Sequence, residues 1–138
     1  MQEMSFRRMS QSGSQGGATM ELVTGGAGFI GSHLVDALVA QGKSVRVLDN
    51  FSSGREEFLA HHNGRSGVEV VKADLLDFDA VKAAMEGIET VHHLAANPDI
   101  RLGTEVTDTD LRQGTVATYN VLEAMRHAGV ERISFSSS

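Results

Sequence analysis

The chain has no cysteine in its 138 residues. That excludes disulfides and thiolate metal sites, and it agrees with a reducing, cytoplasmic setting. No apolar run approaches the length that spans a bilayer. No run of lysine and arginine suggests a membrane or heparin patch. Positive charge is in deficit: 12 Lys and Arg against 18 Asp and Glu, a formal net charge of −6. That sign argues against a general nucleic-acid surface. There is one proline, Pro98, and one tyrosine, Tyr119.

What is present fits one globular domain: 41% hydrophobic and 22% charged residues, with enough mass to bury a core. Residues 1–19 read differently. They end in the polar, aperiodic run SQSGSQGGAT, which cannot bury enough apolar surface to order itself. Arg7-Arg8 is not followed by an apolar h-region, so no signal peptide is indicated. The expectation is a flexible leader over 1–19 and one domain over 20–138.

The most informative stretch is Thr24–Leu34, TGGAGFIGSHL. It spaces Gly25, Gly28 and Gly31 as G-x-x-G-x-x-G, between the apolar pair Leu22-Val23 and an amphipathic run from Ile30 to Leu38. That is strand, glycine turn, helix. Glycine permits the turn, lets backbone N–H groups approach a pyrophosphate, and lets the helix pack closely on the strand. A glycine triplet alone is weak evidence in a chain with fifteen glycines, so its context decides. The next apolar run, Val45–Leu48, ends in Asp49, 18 residues after Gly31. There a carboxylate meets the adenosine ribose of a bound dinucleotide. A carboxylate suits the free 2′-hydroxyl of NAD and repels the 2′-phosphate of NADP. Arg55 is the one nearby residue that would soften this preference.

The rest of the chain alternates in the same way. Strands are expected at Glu21–Thr24, Ser44–Asp49, Val68–Lys72, Thr90–Leu94 and Glu131–Ser136. Helices are expected at Ile30–Gln41, from the Asp77 cap to Met85, and at Asp108–His127, stopped by Gly42, Gly87 and Gly129. A short helix over Arg55–His61 is also expected. Such alternation predicts a doubly wound parallel α/β sheet of Rossmann type, with strand order 3-2-1-4-5. The strand ends Gly25, Asp49, Asp74, Ala95 and Ser136–Ser138 would then converge on one crevice.

Histidine pairs raise the question of metal. His92-His93 on a strand point to opposite faces, and His61-His62, in a polar, glycine-flanked segment, are expected at the surface. No metal ligand set is assigned. Ser136–Ser138 lacks the G-x-S-x-G context of a nucleophile. Tyr119 falls within an apolar helical pattern and is expected in the core.

Together with VLDNFSSG, ADLLD, HLAANPDIR, ATYNVLEAMRHAGVERI and FSSS, the glycine stretch resembles the extended short-chain dehydrogenase/reductase family, in its branch of NAD-dependent nucleotide-sugar epimerases and dehydratases. The likeness covers essentially residues 20–138. It implies that Phe29 and Ile30 join the glycines at the pyrophosphate, with Asn50, Ser53 and Gly54 beside Asp49 at the ribose. It implies that Asp74 and Leu75 border the adenine, with Asp74 accepting from its amino group. Leu94, Ala95 and Ala96 would line the nicotinamide ribose, and Ser138 would stand where the family has its catalytic serine or threonine. The family's proton-transfer pair is Tyr-x-x-x-Lys. Here Tyr119 is followed four residues on by Glu123, not lysine. Gly114 also replaces the asparagine that the family usually carries at the start of the long helix.

The resemblance thus implies the cofactor half of an isomerase, inactive alone, whose sugar domain lies elsewhere. A naturally short NAD-binding or interaction module, and a piece of a related dehydratase, are the other readings. Self-association is expected as well. The long helix carries two apolar stripes, Ala117/Val121/Ala124/Ala128 and Thr118/Leu122/Met125, and one suffices to cover a sheet. The last strand would be an open edge. A homodimer or higher homo-oligomer follows.

Overall fold

The structure, a computed structural model, describes residues 19–99 and 101–137. Five parallel strands form one sheet in the order β3-β2-β1-β4-β5: β1 Met20–Thr24, β2 Ser44–Asp49, β3 Val68–Lys72, β4 Ile88–His93 and β5 Arg132–Phe135. The helices are α1 Phe29–Ala40, α2 Phe78–Ala84, α3 Leu102–Glu105 and α4 Ala117–Ala128. This is the doubly wound sheet expected from the alternation. All of the leader expected over 1–19 except Thr19 lies outside the described residues. Thr19 already belongs to the domain, its carbonyl accepting the Ser44 N–H at 3.1 Å.

Alternation along the buried strands feeds two cores. Leu22, Leu48 and Val91 face α2 and α4, packing with Val81, Met85, Val121 and Ala124. Val23, Val45 and Val47 face the other way, packing with Val35 and Leu38 of α1 and with Leu59. Burying both faces is what drives near-continuous apolar strands into the middle of a parallel sheet.

Helix ends follow local chemistry. Asp77 caps α2, its carboxylate accepting the Ala80 N–H at 3.2 Å. Gly129 ends α4 in the left-handed region at φ 70, and the Val130 N–H returns to the Met125 carbonyl at 3.0 Å. That is the glycine stop expected from sequence.

Two segments depart from expectation. Arg55–His61 is not one helix but two 3-10 turns, Glu56–Phe58 and Ala60–His62. The helix expected over Asp108–His127 is regular only from Ala117. Before it the backbone is wound as a π-helix over Leu111–Val116, with Gly114 inside. Gly114 has open space where a Cβ would stand, so packing does not hold this stretch to α geometry. Tyr119 is 62% exposed, where the apolar pattern had placed it in the core: two residues from both Ala117 and Val121, it stands on the face of α4 opposite the buried stripe. Of the two stripes, Ala117, Val121, Ala124 and Met125 are buried, whereas Leu122 and Ala128 are exposed.

Candidate cofactor-binding site

β1 lies between β2 and β4, so the crossovers diverge on either side of its carboxyl end. That divergence opens a crevice, and a cavity of about 320 Å³ lies there. Its first wall is the glycine turn. Gly25 has φ 71, and a Cβ on it would stand 2.8 Å from the Ala95 nitrogen. A Cβ on Gly31 would stand 2.2 Å from the Gly25 carbonyl oxygen. The first glycine therefore lets the turn pass under the β4 exit, and the last lets α1 sit on the turn. Gly28 begins α1 in extended backbone. Among the described residues no side chain caps this helix, and no acidic residue lies in its first turn. Its unpaired N–H groups and positive dipole end are left for an anion.

The second wall follows β2. Asp49 is 8% exposed. One carboxylate oxygen accepts the Ala27 N–H at 2.9 Å and the other the Phe51 N–H at 2.8 Å. Each oxygen keeps a lone pair, so the carboxylate is fixed in place yet can still accept from a hydroxyl. Gly54 packs against it, since a Cβ there would lie 3.1 Å from both oxygens. Phe51 is the one non-glycine residue with positive φ among those described, at 58. The Asp49 side chain holds this turn in a conformation that costs about 1–3 kcal/mol elsewhere. The Arg55 guanidinium lies over the Phe58 ring, 5.9 Å from its centroid, and is not part of the cavity wall.

The third wall follows β4. Leu94, Ala95 and Ala96 line it, joined by Pro98, Gln113 and Ser136. Behind it lies a buried relay. The Ala95 N–H approaches the Thr24 hydroxyl at 3.4 Å, Thr24 Oγ1 lies 2.7 Å from His93 Nδ1, and His93 Nε2 lies 3.0 Å from Thr118 Oγ1. Burial pushes the His93 imidazole below its ordinary pKa, so it is neutral. The relay is satisfied when its proton sits on Nε2. His92 points to the opposite face, onto Glu21 at 2.6 Å. Burial alone would push the Glu21 carboxyl up, but Lys43 and His92 together hold it below its ordinary value.

Of the residues singled out in the sequence, Gly25, Gly28, Phe29, Ile30, Gly31, Asp49, Asn50, Ser53, Gly54, Leu75, Leu94, Ala95 and Ala96 all line this cavity. Asp74 does not: its carboxylate accepts from the Leu76 N–H at 2.9 Å and from the Asn50 side chain at 3.3 Å. Ser138 lies outside the described residues. Leu48, Ser52, Ala73 and Gln113 also line the cavity and were not anticipated. Leu48 and Ala73 adjoin the strand-end aspartates, so a wider window there would have found them. Gln113 sits in the π-helical stretch, which has no local signature.

An uncapped helix start at a glycine turn, a buried strand-end carboxylate and a cleft at the switch point are the arrangement of a dinucleotide-binding fold. Residues 21–138 match the NAD dependent epimerase/dehydratase family, and the chain belongs to it. A UDP-glucose 4-epimerase from Mycolicibacterium smegmatis is 42% identical over 118 residues, covering 85% of this chain and 38% of the relative. A 3 beta-hydroxysteroid dehydrogenase/Delta 5-->4-isomerase from Mycobacterium tuberculosis is 40% identical over 122 residues, covering 85% and 31%. Among solved structures, the Thermus thermophilus UDP-glucose 4-epimerase in complex with NAD matches with a TM-score of 0.77 at 38% identity, over 86% of this chain and 37% of that one. The chain thus spans well under half the length of these relatives.

Proposed function

We propose that this chain is the NAD-binding portion of a nucleotide-sugar epimerase of the UDP-glucose 4-epimerase kind. The observation that carries the reading is the Asp49 carboxylate, buried at the end of β2 with one lone pair free on each oxygen. NAD fits the three walls. The start of α1 takes the pyrophosphate, Asp49 takes the adenosine ribose, Asn50, Ser53 and Gly54 border it, Leu75 lies by the adenine, and Leu94–Ala96 lie by the nicotinamide ribose. When bound, NAD accepts and returns the hydride of the sugar carbon. The chain's residues bind it, orient it and keep its phosphates on the helix end.

The 138 residues hold no Tyr-x-x-x-Lys pair. As a purified polypeptide they therefore bind cofactor without turnover of UDP-glucose or UDP-galactose. General acid–base help is worth about 10²–10⁴-fold, and positioning of the sugar more. Titration calorimetry with NAD⁺ and NADP⁺ tests the reading. NAD⁺ binds more tightly, and Asp49→Asn narrows the difference. Tighter NADP⁺ binding, or a preference that Asp49→Asn leaves intact, contradicts it.

Self-association belongs to the same proposal. Tyr119, Leu122 and Phe135 are exposed and border one shallow apolar hollow, and β5 is exposed throughout. Light scattering across a concentration series should show a dimer or larger species; a monomer at every concentration contradicts this part.

A further inference from the structure

Away from the cleft, three side chains that the sequence had left unrelated come together. Asp36 lies on the outer side of α1. His61 and His62 follow one another in the 3-10 turn Ala60–His62, which lies across that helix. Both imidazoles aim at one carboxylate oxygen: His61 Nε2 is 2.7 Å and His62 Nε2 2.6 Å from Asp36 Oδ1. The ring centroids are 4.1 Å apart with the planes tilted by 42°. His62 is not at the surface, as the polar, glycine-flanked segment had suggested; its side chain is 5% exposed. The turn carries it inward beside the buried Leu59. One nitrogen from each ring and one carboxylate oxygen all lie within 4.8 Å of one another.

A surface ion pair does not require this. One imidazole would serve Asp36, and a second on the same oxygen gains little in water. Two neutral imidazole nitrogens and one carboxylate oxygen, converging from two elements, are the donor set of a borderline divalent ion. Magnesium and calcium prefer all-oxygen sites. At the usual zinc bond lengths, tetrahedral ligand atoms stand about 3.3 Å apart. The two nitrogen–oxygen spacings need to open by less than about 1 Å for an ion to replace the two N–H hydrogens. Asp36 and His61, each with a side chain about half exposed, are free to make that adjustment.

We propose that Asp36, His61 and His62 form a zinc-type divalent metal site, three protein ligands and an open fourth position, that fastens the segment after β2 to α1. The same segment begins at the cofactor wall. Arg55 N–H is bonded to the Ala27 carbonyl at 2.9 Å, and Gly54 packs on Asp49. An ion here braces that wall from outside and touches no cofactor. Its affinity has a built-in limit. His62 Nδ1 is buried and without a partner among the described residues. An ion on Nε2 moves the ring proton to Nδ1, where no acceptor waits. Metal-bound histidines normally have such an acceptor, and its loss costs about 10–100-fold in affinity. The site is therefore of moderate strength.

Titration of the tag-free 138-residue chain with Zn²⁺ and with Co²⁺ tests this, by calorimetry for zinc and visible absorption for cobalt. Expected are one site of moderate affinity per chain and the intense visible bands of low-coordinate cobalt. His61→Gln and Asp36→Asn should each weaken zinc binding by at least about tenfold. Both changes fall on half-exposed side chains, and an unchanged far-ultraviolet circular dichroism spectrum with unchanged NAD⁺ titration shows the fold kept. Absence of zinc binding up to about 1 mM, or equal binding by the wild type and both variants, overturns the proposal.

Discussion

The two sides of the crevice are built differently. On the β1–β2 side every unusual feature has a counterpart within the chain. Gly25 and Gly31 are required by backbone atoms that leave no room for a Cβ, and the strained Phe51 is held by Asp49. On the β4–β5 side the wall is made by the loop leaving β4, Gln113 of the π-helical stretch and Ser136 just past the edge strand. There Leu102, Val106, Leu111, Val116, Tyr119 and Phe135 are all exposed. The first side is preformed and locked by its own contacts. The second buries few apolar contacts, which is the mark of a region that opens at low free-energy cost.

Gly31→Ala should have the largest effect on the rigid side. The added methyl would stand 2.2 Å from a carbonyl oxygen, so α1 must lift off the turn. The expected loss is about 3 kcal/mol, the upper end of overpacking, seen as a melting temperature lower by roughly 10 °C together with loss of NAD⁺ binding. If Gly31→Ala melts like the wild type, the cradle is not over-determined. Next comes Asp49→Asn, which keeps the shape but removes the charge. A hydrogen bond to a charged group is worth about 1.5–3 kcal/mol, so NAD⁺ affinity should fall about 10–100-fold by calorimetry. Asp49→Ala would be a poorer test, because it orphans both the Ala27 and the Phe51 N–H groups, whereas asparagine keeps an acceptor for one of them.

His93 sits at the seam and links Thr24, beside the cradle, to Thr118 on α4. Its folded pKa is held below the ordinary 6.5 by burial. Between the folded value and 6.5 the unfolded chain takes up a proton that the folded chain refuses. Stability is therefore lost as pH falls below about 6.5. Glu21, also depressed, adds a loss of the same sign only at lower pH, below its ordinary 4.5. Melting curves of wild type and His93→Gln between about pH 7.5 and 5.5 separate the two: the variant starts lower and falls less steeply. The smallest effect belongs to the looser side. Gly114→Ala meets open space and should stabilise by about 0.4–1 kcal/mol in a denaturant titration; destabilisation would mean that the π-helical stretch needs its glycine.

Sequence reasoning succeeded where the chemistry is local. The glycine turn, the strand-end Asp49 and the stops at Gly42, Gly87 and Gly129 each depend on a few neighbouring residues, and all stand where they were expected. It failed where position depends on the path of the chain. Tyr119 is exposed because α4 packs through Ala117, Val121 and Ala124, which turns the opposite face to solvent. His62 is buried because a 3-10 turn, not polarity, decides which way it faces.

On the proposed function, NAD enters the crevice at the glycine turn and Asp49 first. Amide chemical-shift mapping of the labelled chain during an NAD⁺ titration tests it most directly. The largest shifts should fall on Gly25–Gly31 and Asp49–Gly54, with smaller ones on Leu94–Ala96 and little change at Leu122. Shifts concentrated around Tyr119, Leu122 and Phe135, with the glycine turn unmoved, would contradict it.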